Sequence, residues 1–313
     1  GRARLPHYHL QLAPKDAAGS GQSSSRAVTF IGLPGQQPAQ EAAEVWPWLL
    51  VAALSPVLGC REPEKSVAEP PARTAASLGE LAVPVSRAEN RAVAFTNKAA
   101  AYYYTQTHRN DHPEHAWFRG LNIAGRRVFN DYQLLVGGVA LEPATARVVV
   151  RPDALIRAYP NGQTETLRLF DYVDVVEVTL TGAGDRAELR LSGDQVKPAG
   201  SADGLARYFS SSGTDAHTVD YLAVGRRGDR FFIAVGPSQD SARGLFAQAA
   251  TQATRWAAER RARLERLING DRYLWTDDAP LTEALRWITL TTDALVTRQR
   301  GDGIYAGLPW FNE

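Results

Sequence analysis

The chain has 313 residues, 44% of them apolar and 22% charged, with a net charge of +1. That composition describes a globular chain long enough for one large or two ordinary domains. The interspersed charges form no basic stripe, so no nucleic-acid partner is expected. A single cysteine excludes an internal disulfide and a cysteine-built metal site. Methionine is absent even at position 1, so the sequence reads as a fragment or a translated frame with an uncertain start.

Residues 1–44 are rich in Gly, Ser, Gln, Ala and Pro and show no apolar period. They read as disordered, or as sequence upstream of the true start. Residues 45–60, VWPWLLVAALSPVLGC, form an apolar run too short for a membrane span but of the length of a signal-peptide core. Its ending, Val57-Leu58-Gly59-Cys60, resembles a bacterial lipobox. The resemblance implies an acylated Cys60, possible membrane anchoring by that lipid, and a periplasmic or cell-surface lipoprotein. Two departures stand against it: Glu44 precedes the run where Lys or Arg is usual, and Pro56 lies inside it. The alternative is an apolar run of no consequence in a cytoplasmic protein. Residues 61–85 are Pro- and Glu-rich at their start and read as a flexible tether.

Residues 86–237 change texture. Tyr102-Tyr-Tyr-Thr-Gln-Thr107 favours a strand. Asp131 to Val136, the turn Gly137-Gly138 and Val139 to Leu141 read as a hairpin. Strands follow over Ala146 to Arg151 and Ala154 to Tyr159, with a turn at Pro160-Asn-Gly162. Thr164 to Phe170, Val173 to Leu180 and Ala187 to Leu191 continue the series, and Val219 to Val224 with Arg230 to Val235 form a last hairpin. Eight or more short strands at this spacing predict an antiparallel β-sandwich.

One segment departs from that texture: Thr107-His-Arg-Asn-Asp-His-Pro-Glu-His-Ala-Trp117. His108, His112 and His115 with Asp111 or Glu114 invite a metal reading. The His112-x-x-His115 spacing is too tight for a helical zinc pair, and Pro113 breaks a helix there, so no metal and no cofactor are expected. Two readings stay open: a loop lining a polar pocket, in which His112, Glu114 and Trp117 face a ligand, or a structural corner.

Residues 238–275 predict a long helix capped by Ser238 or Asp240 and stopped at Asn269-Gly270. A second helix begins near Asp278, with Pro280 in its first turn, and is expected to end at Gly301-Asp302-Gly303. The chain then continues through Ala306-Gly307-Leu308-Pro309-Trp310-Phe311.

That order of parts, with Ala306 to Phe311, the His112–Trp117 segment, and Phe95-Thr-Asn97 with Tyr102-Tyr-Tyr104, resembles the bacterial glycogen-debranching, amylo-α-1,6-glucosidase-like family. The resemblance covers residues 77–313. It implies a fold that is mainly β with α: an N-terminal β-sandwich over 86–237, a linker helix over 238–275, and the first helix of a truncated (α/α)6 barrel over 276–313. It implies an enzyme that hydrolyses α-glucosidic bonds in α-glucans or oligosaccharides with inversion, using two carboxylates. The family places both carboxylates in the barrel, so the catalytic residues are unknown here and the 313-residue chain is expected to be inactive. Trp310 and Phe311 become candidates for a sugar-stacking platform or for packing on the barrel rim. Competing readings are a non-enzymatic carbohydrate-binding surface module and a related glycosidase with another sugar preference.

Overall fold

The computed structural model of the chain describes residues 75–212, 218–270 and 276–309. Cys60, Trp310 and Phe311 lie outside the described residues. The described chain is mainly β, with two α-helices. Strands β1 (Val83–Val85), β2 (Ala92–Thr96), β3 (Ala101–Gln106), β4 (Gly120–Ile123), β5 (Arg126–Phe129), β6 (Asp131–Val136) and β7 (Val139–Ala140) come first. β8 (Arg147–Arg151), β9 (Ala154–Ala158), β10 (Thr164–Leu169), β11 (Val175–Thr181) and β12 (Ala187–Ser192) follow. β13 (Val196–Pro198), β14 (Arg207–Ser211), β15 (Asp220–Arg227) and β16 (Arg230–Gly236) lead into α1 (Gln239–Asn269) and α2 (Ala279–Leu295). β17 (Val296–Thr297) and β18 (Gly303–Ile304) close the series.

Nine strands form one sheet in the order β1-β8-β9-β10-β11-β16-β15-β14-β13. A four-stranded sheet has the order β2-β3-β4-β5, and a three-stranded one β12-β6-β7. Period-two patterning explains which faces meet. Leu155, Leu167, Val176 and Ile233 of the large sheet share one apolar cluster with Phe95, Tyr103, Leu121 and Phe129 of the four-stranded sheet. Leu134 and Leu189 of the three-stranded sheet complete it. The opposite face of the large sheet, through Val175, Ala223, Phe232 and Ala234, packs on Ala242, Phe246, Ala249 and Ala253 of α1. The small residues of α1 let helix and sheet approach closely, and the hydroxyl of Ser238 caps the helix by accepting from Ser241 N. At the Gly137-Gly138 turn both φ angles are positive, 61° and 82°, as a tight hairpin requires.

Two boundaries differ from the sequence expectation. The stretch 75–85, read as the end of a tether, is packed: Ala76, Leu78 and Leu81 are buried with Leu264, Ile268 and Leu290. Asn269 donates to Ala76 O and accepts from Ala76 N, each at 2.8 Å, and β1 pairs with β8. The Pro- and Glu-rich residues before it hid this short apolar motif. The second helix stops at Leu295 instead of reaching Gly301. The sheet captures its last carbonyls: Thr96 Oγ1 donates to Ala294 O at 2.8 Å, and Lys98 Nζ to Asp293 O at 2.7 Å. β-branched Val296 and Thr297 then pair with Ile304 and Gly303. Among the described residues no helix is long and apolar enough to cross a membrane.

Candidate functional site

The four-stranded sheet has a second face, turned away from the apolar core. Alternation along β3 sends Tyr103 into the core and Tyr102 and Tyr104 to this face. Across the strands, Thr96 pairs with Tyr102, Tyr102 with Asn122, and Asn122 with Arg127. Tyr102, Tyr104 and Phe118 form a buried cluster here, with Ala94 and Leu308 packed against it. The segment at 107–119 and the loop at 306–309 therefore meet on one sheet face, 190 or so positions apart in the chain.

The first segment is tied down from beneath. Asn90 Oδ1 accepts from the backbone N–H groups of His108 and Arg109, both at 3.0 Å. Gln106 Oε1 accepts from His112 N at 3.1 Å. Asn110 Oδ1 accepts from Gln106 N at 2.7 Å, while its Nδ2 donates to Asp131 Oδ2 at 2.6 Å. Buried Arg157 donates to Thr107 O at 2.9 Å and Gln106 O at 3.0 Å, and pairs with Glu165 at 2.7 Å. The hydroxyls of Tyr132 and Tyr159 also donate to Glu165. Burial pushes the Asp131 carboxyl above its ordinary value, and the Asn110 and Tyr132 N–H donors only partly offset this.

Sequence reading missed Asn90, Gln106 and Arg157. One signal was present for the last: Arg157 and Glu165 interrupt the inward-facing positions of adjacent strands, and they occupy opposing register positions. Charges at inward positions of facing strands mark a buried pair.

Pro113–His115 forms a single 3-10 turn, as Pro113 dictates. It stacks the His112 and His115 rings, with centroids 4.1 Å apart and planes 19° from parallel. His115 Nδ1 is hydrogen-bonded to the Tyr104 hydroxyl. Burial, and then the neighbouring His112, hold the His115 imidazole below the ordinary histidine value. Trp117 stands 52% exposed, edge-on to Phe118 at 4.6 Å. His112 and Glu114 are exposed on the same turn. His108 is not with them: it is buried, with its Nε2 unpartnered, and burial followed by nearby Arg157 lowers its pKa. Among the described residues no group of three His, Cys, Asp or Glu side chains could hold a metal.

Of the expected site residues, His112, Glu114 and Trp117 thus lie on one exposed turn, beside the cluster on which Leu308 packs. What the turn offers is binding chemistry: an exposed indole, a stacked imidazole pair and a backbone tied by hydrogen bonds to Asn90 and Gln106. A cavity of about 490 Å³ lies elsewhere, between β2, β8 and α2, lined by Phe95, Val150, Arg260, Trp287 and Leu290. Compared with protein-family models, with curated proteins and with solved structures, the chain matches none.

Proposed function

We propose that the chain is part of an inverting glycoside hydrolase resembling amylo-α-1,6-glucosidase, acting on α-glucans or oligosaccharides, and that the exposed turn at 112–117 is a sugar-facing surface. One observation carries this reading. Both segments that bear the resemblance reach one buried cluster, His115 and Trp117 through ring contacts with Tyr104 and Phe118, and Leu308 by packing on Tyr102, Tyr104 and Phe118, although nothing in their spacing requires it. In this reading the three sheets are the β-sandwich, α1 is the linker helix and α2 the first helix of the barrel. Trp117 stacks on the apolar face of a pyranose, and Trp310 and Phe311, outside the described residues, are candidates for the same chemistry by residue type. The acid and base belong to the barrel, and neither is assigned to a residue of this chain.

The exposed apolar edge of α2, at Leu281 and Ile288, supports a helix that further helices cover over a stand-alone binding module. Lipid anchoring at Cys60 accompanies the reading and is tested separately by palmitate labelling, which Cys60→Ser abolishes. The direct test is calorimetric titration of the purified chain with malto-oligosaccharides. Saturable binding that Trp117→Ala weakens, without release of glucose, is the expected result. Absence of binding in both proteins refutes the sugar-facing surface.

A further inference from the structure

Strand β2 is an edge of the four-stranded sheet and borders the cavity beside α2. Its ladder with β3 has a fixed phase, because Thr107 N donates to Arg91 O and Asn97 N to Ala101 O. Val93 and Phe95 therefore turn their N–H and C=O groups to β3, and Ala92, Ala94 and Thr96 turn theirs outward. Thr96 O is taken by Arg260 Nη1 at 2.8 Å. Among the described residues nothing bonds the backbone N–H or C=O of Ala92 or Ala94, and Ala92 is exposed and Ala94 half-buried. An open edge pairs with extended chain unless charge, proline or a bulge blunts it. Ala92 to Thr96 carries none of these, whereas β1 carries Pro84. The cavity along this edge has Val83, Val85 and Val150 on one side and Trp287 and Leu290 of α2 on another, so an added strand meets apolar side chains as well as backbone partners.

The charge around the groove has one sign in excess. Its lining includes Arg91, Arg151 and Arg260 and no acid. Arg151 and Arg261 share Asp153, at 2.9 and 3.3 Å. Arg260, Arg263 and Lys98 share Asp171 and Asp293, at 2.6 to 2.9 Å. In these ion pairs five cations meet three carboxylates. Arg91 is paired only at the surface, with Glu89, where water screens the contact.

We propose that β2 is a docking edge for an extended segment of a partner polypeptide, apolar in its middle and flanked by carboxylates, whose backbone pairs with Ala92 and Ala94. Main-chain hydrogen bonds supply the affinity, and the apolar walls and excess positive charge select the sequence. A second copy of this chain is a poor occupant, because its own β2 edge brings the same excess of positive charge. The inference stands apart from the sugar-facing reading and does not need it.

The test titrates the full chain with the peptide acetyl-Glu-Val-Thr-Val-Glu-amide, following the amide resonances of Ala92 and Ala94 and their hydrogen exchange. The peptide should bind saturably, slow exchange at both amides, and bind at least about tenfold more tightly than its Lys-flanked counterpart, the yield of one charge-assisted contact. Replacing its central Thr with Pro should weaken binding. Ala92→Pro removes an outward donor and leaves the ladder to β3 intact, since proline is tolerated on the open side of an edge strand. It should weaken binding at least about threefold with an unchanged urea midpoint. Arg151→Gln leaves Asp153 with Arg261 as partner and should reduce the preference for the acidic peptide without abolishing binding. Absence of binding at millimolar peptide, equal binding of the Lys-flanked peptide, or binding that leaves exchange at Ala92 and Ala94 unchanged overturns the proposal. So does protection of these amides in the free chain: if independent of concentration, the chain covers its own edge, and if it rises with concentration, a second copy does.

Discussion

The Tyr104 hydroxyl and His115 Nδ1 are hydrogen-bonded, with their rings 5.5 Å apart and 89° from parallel. The contact joins the sheet to the exposed turn. Burial raises the Tyr104 pKa, so the phenol keeps its proton in this contact. The same burial, with His112 stacked alongside, disfavours imidazolium at His115.

The pH dependence follows from that direction. A depressed folded pKa means that the unfolded turn binds a proton more readily than the folded one. The stabilisation by neutral His115 is full above the ordinary histidine value of 6.5, and is lost as pH falls through the lower folded value. Proton NMR should find the His115 midpoint below 6.5, with Trp117 fluorescence changing over the same range. Replacing His112 with Asn removes a neighbouring charge at low pH and should move the midpoint upward. A His115 midpoint at or above the ordinary value contradicts the geometry.

Arg157 and Glu165 support the turn from the core. Their side chains are only 6% and 2% exposed, so removal of one partner strands the other charge away from water. Arg157→Met should cost about 3–5 kcal/mol, the usual range for breaking a buried pair. It also takes two donors from Gln106 O and Thr107 O, so hydrogen exchange should quicken at 107–112. In R157M/E165Q no unpaired carboxylate remains, and Tyr132 and Tyr159 can still bond the amide. The double variant should therefore lose less than the sum of the singles, by more than about 1 kcal/mol in urea unfolding. Additive losses would show that the two groups are not coupled.

Much of the strand series was legible because its cause is local. The Gly137-Gly138 and Asn161-Gly162 turns and the alternation of Thr164 to Leu169 each follow from residues within a few positions. The Ser238 cap and the Asn269 stop were legible for the same reason. What the sequence concealed was long-range. Helix α2 ends at Leu295 because Thr96 and Lys98, some 200 positions earlier, take its final carbonyls. The Leu78 motif is ordered because Leu264 and Leu290 await it. At the candidate site, the His112 to Trp117 segment was visible by composition alone. Its supports, Asn90, Gln106 and Arg157, look like ordinary strand and turn residues until their partners are in place. No local pattern joins Leu308 to Tyr104; only the sheet does.

Gly120 is the point where the turn re-enters the sheet. Its φ is +91°, and a Cβ there would lie 2.0 Å from Phe129 O and 2.5 Å from Asn130 O. Both obstacles are backbone, so no side-chain rotation relieves them. Gly120→Ala combines a disfavoured dihedral with a steric clash and should cost at least about 2–3 kcal/mol. The loss should appear as a lower urea midpoint with Phe118 and Tyr104 resonances displaced. Gly125→Ala is the control. It shares a positive φ, 78°, but has nothing within 4 Å, so its cost should stay near 1 kcal/mol. Equal costs would mean that the approach of β5 to Gly120 is looser than the geometry states.

Helix α2 permits a comparison of two of its own residues. Leu290 is 5% exposed and packs with Leu264, Ile268 and Leu78, whereas Ile288, two residues earlier, is 51% exposed. Leu290→Ala opens a cavity among fixed neighbours and should cost about 2–5 kcal/mol. Ile288→Ser removes apolar area that water already reaches and should change stability by no more than about 0.5 kcal/mol. Its effect should appear in solution behaviour. Sedimentation at rising concentration should show less self-association for I288S, and still less when Leu281→Ser is added, because the two residues form one apolar stripe on the helix. A large loss of stability in I288S would instead mean that this edge is already covered within the chain.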